Sequence, residues 1–132
     1  MVGIKIAVSA MGPDPEAFVA PYFARCACFV VYDSVNKLYS IMKVSSRRRV
    51  SAGIHTARSV VGGNVEAIIT GNIGPHALRV LREAGVRCYF KMTGTVRDCL
   101  KAYENGDLEE IEAATVPPYN GVDKDGLGDS FI

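Results

Sequence analysis

Ala67-Ile68-Ile69-Thr70, Gly71-Asn72-Ile73-Gly74 and Pro75-His76-Ala77-Leu78-Arg79-Val80-Leu81 follow one another as an apolar run, a glycine-bounded turn and a periodic segment. The compact apolar run suits a buried strand. Ala77, Leu78, Val80, Leu81 and Ala84 then recur at helical spacing until Gly85 closes a helix over Pro75 to Ala84. Val86-Arg87-Cys88-Tyr89-Phe90 follows as another strand. A strand–helix–strand order favours parallel pairing through a right-handed crossover. The fold class is therefore α/β.

Upstream, Ser51 to Val61 suits a helix, with Ser51 as N-cap and Gly62-Gly63 as its stop. Before it come three strand candidates: Ile4-Lys5-Ile6-Ala7-Val8, Cys28-Phe29-Val30-Val31-Tyr32 and the run from Leu38 to Val44. The last two flank Asp33-Ser34-Val35-Asn36-Lys37, which has hairpin length and chemistry, so the chain opens as an antiparallel meander. Pro13, Pro15 and Pro21 make Met11 to Ala24 a loop.

Downstream, Thr95-Val96-Arg97-Asp98 offers a capping-box-like start, with Asp98 in place of Glu, to a last helix reaching Asn105-Gly106. From about Ala113, Pro117-Pro118, glycines and scattered acids indicate an irregular tail. The expectation is one domain over residues 1–112 and a tail over 113–132. A mixed sheet of five strands would carry the helices, with the hairpin at one edge.

Composition agrees and excludes several classes. The 132 residues suit one domain, and 48% hydrophobic with 22% charged residues is ordinary globular content. A formal net charge of +1 argues against nucleic-acid or membrane-surface binding driven by bulk electrostatics. The start shows no secretory signal, and no apolar run approaches the roughly 18 residues of a membrane span. A cytoplasmic address follows, with Cys26, Cys28, Cys88 and Cys99 read as free thiols.

Several residues carry chemistry, each with a plainer reading beside it. Gly71, Asn72 and Gly74 end a strand where a helix begins. Free N–H groups and a partial positive charge at such a place suit an anion, although a Gly-Pro turn also serves as plain connection. Gly94 and Thr95 open another helix on what should be the same edge, either as part of a shared anion pocket or simply as an N-cap. Arg47-Arg48-Arg49 suits bidentate binding of an anionic group or a solvated loop.

Cys26-Ala27-Cys28 is a CxC spacing. In a strand it would place both sulfurs on one side for a soft metal or an iron–sulfur species, and buried core thiols are the other reading. His55 and His76 fall near helix starts and are candidate metal ligands or ordinary surface histidines. No Ser-His-Asp set or carboxylate pair assembles, and the strands around Ile6, Val30 and Ile68 are almost free of the acids that a metal-dependent nuclease needs. The chain is therefore expected not to be an enzyme.

Ile4 to Val8, Pro21-Tyr22-Phe23-Ala24-Arg25-Cys26-Ala27-Cys28-Phe29, Thr70-Gly71-Asn72-Ile73-Gly74-Pro75-His76-Ala77 and Gly94-Thr95-Val96-Arg97 together resemble the dinitrogenase iron–molybdenum cofactor biosynthesis family. Its small members carry a similar phenylalanine-glycine-arginine-alanine stretch, a glycine-x-isoleucine-glycine-proline turn and a glycine-threonine-valine helix start. The match spans Ile4 to Gly106. It implies a ribonuclease H-like three-layer α/β/α fold with a five-stranded mixed sheet. It also implies binding or carriage, without catalysis, of an iron–molybdenum cofactor or an iron–sulfur precursor.

The chain departs from the pattern at Ala24, where relatives have glycine, while Arg25 is retained. Arg47-Arg48-Arg49 through Gly53 replaces a His- and Gly-rich loop, and His76 stands where asparagine is frequent. On this reading Cys26, Cys28, His55 and His76 are candidate ligands and Arg25, Arg47, Arg48 and Arg49 neutralise cluster charge. The alternative is a cofactor-free interaction or regulatory module that holds a partner protein or small anion at the same edge.

Overall fold

A computed structural model describes residues 4–44 and 52–117. Among these residues six strands and three helices run in the order β1 (Lys5–Ala10), β2 (Cys28–Asp33), β3 (Leu38–Lys43), α1 (Ala52–Gly62), β4 (Ala67–Thr70), α2 (Pro75–Glu83), β5 (Arg87–Phe90), α3 (Val96–Glu104) and β6 (Glu109–Glu110). A 3-10 turn, Phe23–Arg25, precedes β2.

The sheet order is β3-β2-β1-β4-β5-β6. The hairpin pairs β2 with β3 and the meander pairs β1 with β2, both antiparallel. The central pairings β1–β4 and β4–β5 are parallel. The expected mixed sheet is present, but with six strands where five were expected. The additional strand is Glu109–Glu110, antiparallel to Tyr89–Phe90. Two acidic residues carry no apolar alternation, so backbone pairing alone makes them a strand.

Period-two alternation divides the core between the two sheet faces. On one face Ala7, Phe29, Val31, Ile68 and Cys88 meet Ala57 and Val60 of α1 and Ala77, Leu78 and Leu81 of α2. On the other, Ile6, Val8, Val30, Ala67 and Ile69 meet Val96, Cys99 and Leu100 of α3. Strands β1, β2 and β4 are covered on both sides, which is why they read as unbroken apolar runs. Helices therefore lie on both sides of the sheet. Among the described residues no helix is long and apolar enough to cross a membrane.

Two irregular stretches are bound to this frame. Residues 11–22 run along the carboxyl ends of the central strands, with the Ala20 and Val19 amides donating to the carbonyls of Ser9 and Gly94. Past β6, the buried Ile111 donates its amide to Cys88, and Arg82 of α2 donates its guanidinium to the Glu112 carbonyl. Residues 113–117, the described part of the expected tail, form neither helix nor strand.

Candidate functional site at the carboxyl edge of the sheet

At the carboxyl ends of β1 and β4, the Ser9 hydroxyl donates to Thr70 Oγ1 at 2.8 Å, and both residues are fully buried. The bond fixes the parallel pair where the chain leaves for the β4–α2 turn. Here the Pro21–Arg25 stretch crosses Gly71–Asn72. The Asn72 amide donates to the Pro21 carbonyl at 2.7 Å, and the Phe23 amide donates to the Asn72 carbonyl at 2.8 Å.

The crossing explains Gly71. A Cβ there would stand 2.3 Å from the Pro21 carbonyl oxygen and 2.8 Å from that of Ala20, far inside contact distance. Gly74 differs, since a Cβ there would meet only the Pro117 carbonyl oxygen, at an ordinary 3.6 Å. Gly74 caps α2 in extended conformation without a side-chain hydrogen bond, and Pro75 follows as the first helical residue.

The start of α3 is closed from within the protein. Thr95 Oγ1 accepts from the Asp98 amide and the Asp98 carboxylate accepts from the Thr95 amide, which completes the expected capping box. The Val96 and Arg97 amides donate to the carbonyls of Ala17 and Pro15, each at 2.9 Å. The first-turn donors that Gly94 and Thr95 were expected to offer an anion are thus taken. Gly94 itself is required by its φ of +90°. The Thr95 amide, donating to the Asp98 carboxylate, holds that carboxyl below the usual range.

The proposed metal ligands are not brought together. Cys26 closes the 3-10 turn and is not in a strand, so period-two alternation does not apply to it. It packs with Phe23 and Phe29 on the face shared with α1 and α2, whereas Cys28, the first residue of β2, joins the face covered by α3. The sheet therefore separates the two sulfurs. Burial pushes the Cys28 thiol up, away from the thiolate that a metal requires.

Gly53, Thr56, Ala57 and Val60 form the packed side of α1, with a Gly53 Cβ position 3.4 Å from Ala77 Cβ. At about 100° per residue His55 lies on the opposite side of that helix. His76 is half-buried in the first turn of α2. No three His, Cys, Asp or Glu side chains among the described residues are grouped to hold a metal ion. Arg25 ends the 3-10 turn, half-buried, beside the Tyr22–Asn72 bridge. Arg47, Arg48 and Arg49 lie outside the described residues.

Sequence reasoning missed Ser9 and Thr115. Ser9 sits in an otherwise apolar strand, and its polarity there was the available signal. Thr115 donates its amide to the Ile73 carbonyl at 3.0 Å and accepts the Ile73 amide on Oγ1 at 2.8 Å. It lies in a stretch without periodicity, and nothing in the sequence marks it.

Comparison with known proteins adds a consistent set of relatives. The dinitrogenase iron-molybdenum cofactor family matches residues 4–106. An uncharacterized protein of Methanocaldococcus jannaschii is 31% identical over 98 residues, which is 71% of this chain and 83% of that protein. The apo form of the orange protein from Desulfovibrio gigas superposes with a TM-score of 0.81 at 28% identity, over 85% of this chain and 96% of that one. A Thermotoga protein provisionally assigned as NifB gives a TM-score of 0.77 at 29% identity, over 86% of this chain and 97% of that one.

Proposed function

This chain belongs to the dinitrogenase iron-molybdenum cofactor family, and from that membership we propose that it binds and carries an iron–molybdenum or iron–sulfur type cluster, or a precursor of one, without catalysing a reaction. The scaffold is taken as the ribonuclease H-like layered fold of that family, in the cytoplasm, used here as a single binding domain over residues 1–112. The observation that carries the reading is the meeting of its distant motifs. Pro21–Arg25 is hydrogen-bonded to Gly71–Asn72, and the residues just before it bind the Gly94–Val96 helix start. Such a junction at the carboxyl edge is where open α/β sheets take ligands.

The cargo is an anionic metal–sulfur group seated against the β4–α2 turn. Asn72, Gly74 and His76 supply polar contacts on the turn side and Arg25 supplies charge from the 3-10 turn. Arg47, Arg48 and Arg49 supply further charge from the segment before α1. Cys26 and Cys28 have no ligand role in this reading, because one folded chain buries them on opposite faces. Charge and hydrogen bonds hold the group in their place.

The test is elemental analysis with an absorption spectrum on protein purified without oxygen, before and after cluster reconstitution. Stoichiometric molybdenum or iron with sulfur-to-metal bands is expected. Loading should fall at least several-fold in Arg25→Ala and His76→Ala and persist in Cys28→Ala. Protein that stays colourless and metal-free after reconstitution defeats the reading. In that event the buried, separated thiols favour the second reading, a cofactor-free interaction module at the same edge. A partner retained by metal-free protein in a native pull-down supports it.

A further inference from the structure

We propose that the segment from Ile111 to Pro117 is a strap whose Thr115 hydroxyl occupies the Ile73 amide in place of the anionic cargo, so that loading requires the strap to lift. The inference rests on the cargo-binding reading and adds its regulation. Ile73 lies inside the Gly71–Gly74 turn with its side chain fully buried, so its amide is held fixed at the entrance to α2. Thr115 Oγ1 accepts that amide at 2.8 Å, across 42 residues of sequence, and faces the Ile73 carbonyl at 3.3 Å. The Thr115 amide donates to the same carbonyl at 3.0 Å.

A hydroxyl oxygen accepting a turn amide just before an uncapped helix start occupies the place an anion's oxygen would take. The strap continues over the turn, with the Pro117 carbonyl 3.6 Å from the Cβ position of Gly74. Thr115 and the cargo therefore compete for one donor.

The strap has a fixed end and a latched end. Its root is secured by β6 pairing with β5, by the buried Ile111 side chain, by the Ile111 amide bond to Cys88 and by Arg82 on the Glu112 carbonyl. Among the described residues beyond Glu112, the hydrogen bonds to the turn are those of Thr115. Undoing three hydrogen bonds at one residue lifts the strap and leaves β6 in place, the kind of local opening that costs far less than global unfolding.

The test uses the full chain with Thr115→Val, which keeps the shape and removes the hydroxyl, and Thr115→Ser, which restores it. Hydrogen exchange at the Ile73 amide reads the latch, and titration with tetrathiomolybdate, a diamagnetic molybdenum–sulfur dianion, reads competition. Thr115→Val should speed Ile73 exchange and raise affinity for the anion on the order of 3- to 10-fold, the weight of one net hydrogen bond. Thr115→Ser should return both to wild-type values.

Unchanged Ile73 exchange in Thr115→Val overturns the latch, whatever binds. Equal or weaker anion affinity in Thr115→Val, with the wild type still binding, overturns the competition and leaves the carrier reading standing. Failure of wild type and Thr115→Val alike to bind the dianion or take up a reconstituted cluster overturns both.

Discussion

Gly71 and Gly74 sit three residues apart in one turn, and they are glycine for different reasons. Gly71 has a backbone against it, and peptide groups of a crossing chain do not yield as a flexible side chain does. Gly71→Ala is therefore expected to cost about 2–3 kcal/mol of stability as an overpacked contact. Gly74→Ala, with its φ of −84° and only an ordinary contact to the Pro117 carbonyl, should cost under about 1 kcal/mol. Urea denaturation of the two variants checks this, and equal losses would show that the crossing at Pro21 is not rigid. The sequence showed both glycines and a turn. It did not show which glycine faced a chain 50 residues upstream, because that contact is made only by the folded loop. Cys26-Ala27-Cys28 failed similarly. Period two holds only inside a strand, and the 3-10 turn at Phe23–Arg25 places Cys26 outside one.

At the scale of elements, local chemistry was legible wherever it was self-contained. The β2–β3 hairpin, the stops at Gly62 and Gly85 and the Thr95–Asp98 box were all readable from neighbours in sequence. The box makes a prediction of its own. Thr95→Ala should cost about 1 kcal/mol, measured by thermal or urea melting. Asp98 adds a pH dependence whose sign follows from its depressed pKa. Its contribution is fully present above the unfolded carboxyl value and is lost as pH falls through the lower folded one. The stability difference between wild type and Asp98→Asn should therefore be constant near neutral pH and shrink below about pH 4. A difference that persists unchanged into strong acid would show that the carboxylate charge is not what holds the α3 start. Strand β6 and the strap lay beyond this kind of reading, since both are defined by partners and carry no pattern.

Considered whole, the molecule is a sheet whose strands β1, β2 and β4 are covered on both faces, and its sulfur chemistry follows from that. Cys88 lies in the layer with α1 and α2, and burial pushes its thiol up to about 12. Cys99 lies in the layer with α3, where burial raises its thiol to about 11. Each layer thus contains a group that prefers to stay protonated when folded. The sign is opposite to that of Asp98. Stability from these thiols is fully present below the ordinary value of 9.0 and is lost as pH rises through the folded values. Wild-type protein should therefore lose melting temperature above pH 9 more steeply than a Cys88→Ala/Cys99→Ala variant, whatever the offset between them at neutral pH. Parallel curves from pH 8 to 11 would mean that the thiols ionise as easily folded as unfolded, and that the layers are more open than their packing indicates. The same burial bears on cargo. Ionising a thiol between layers works against the fold, so the carrier reading seats an anionic cluster on hydrogen-bond donors and charge at the rim and not on thiolates. On that reading the load would leave without the breaking of a metal–sulfur bond to the protein.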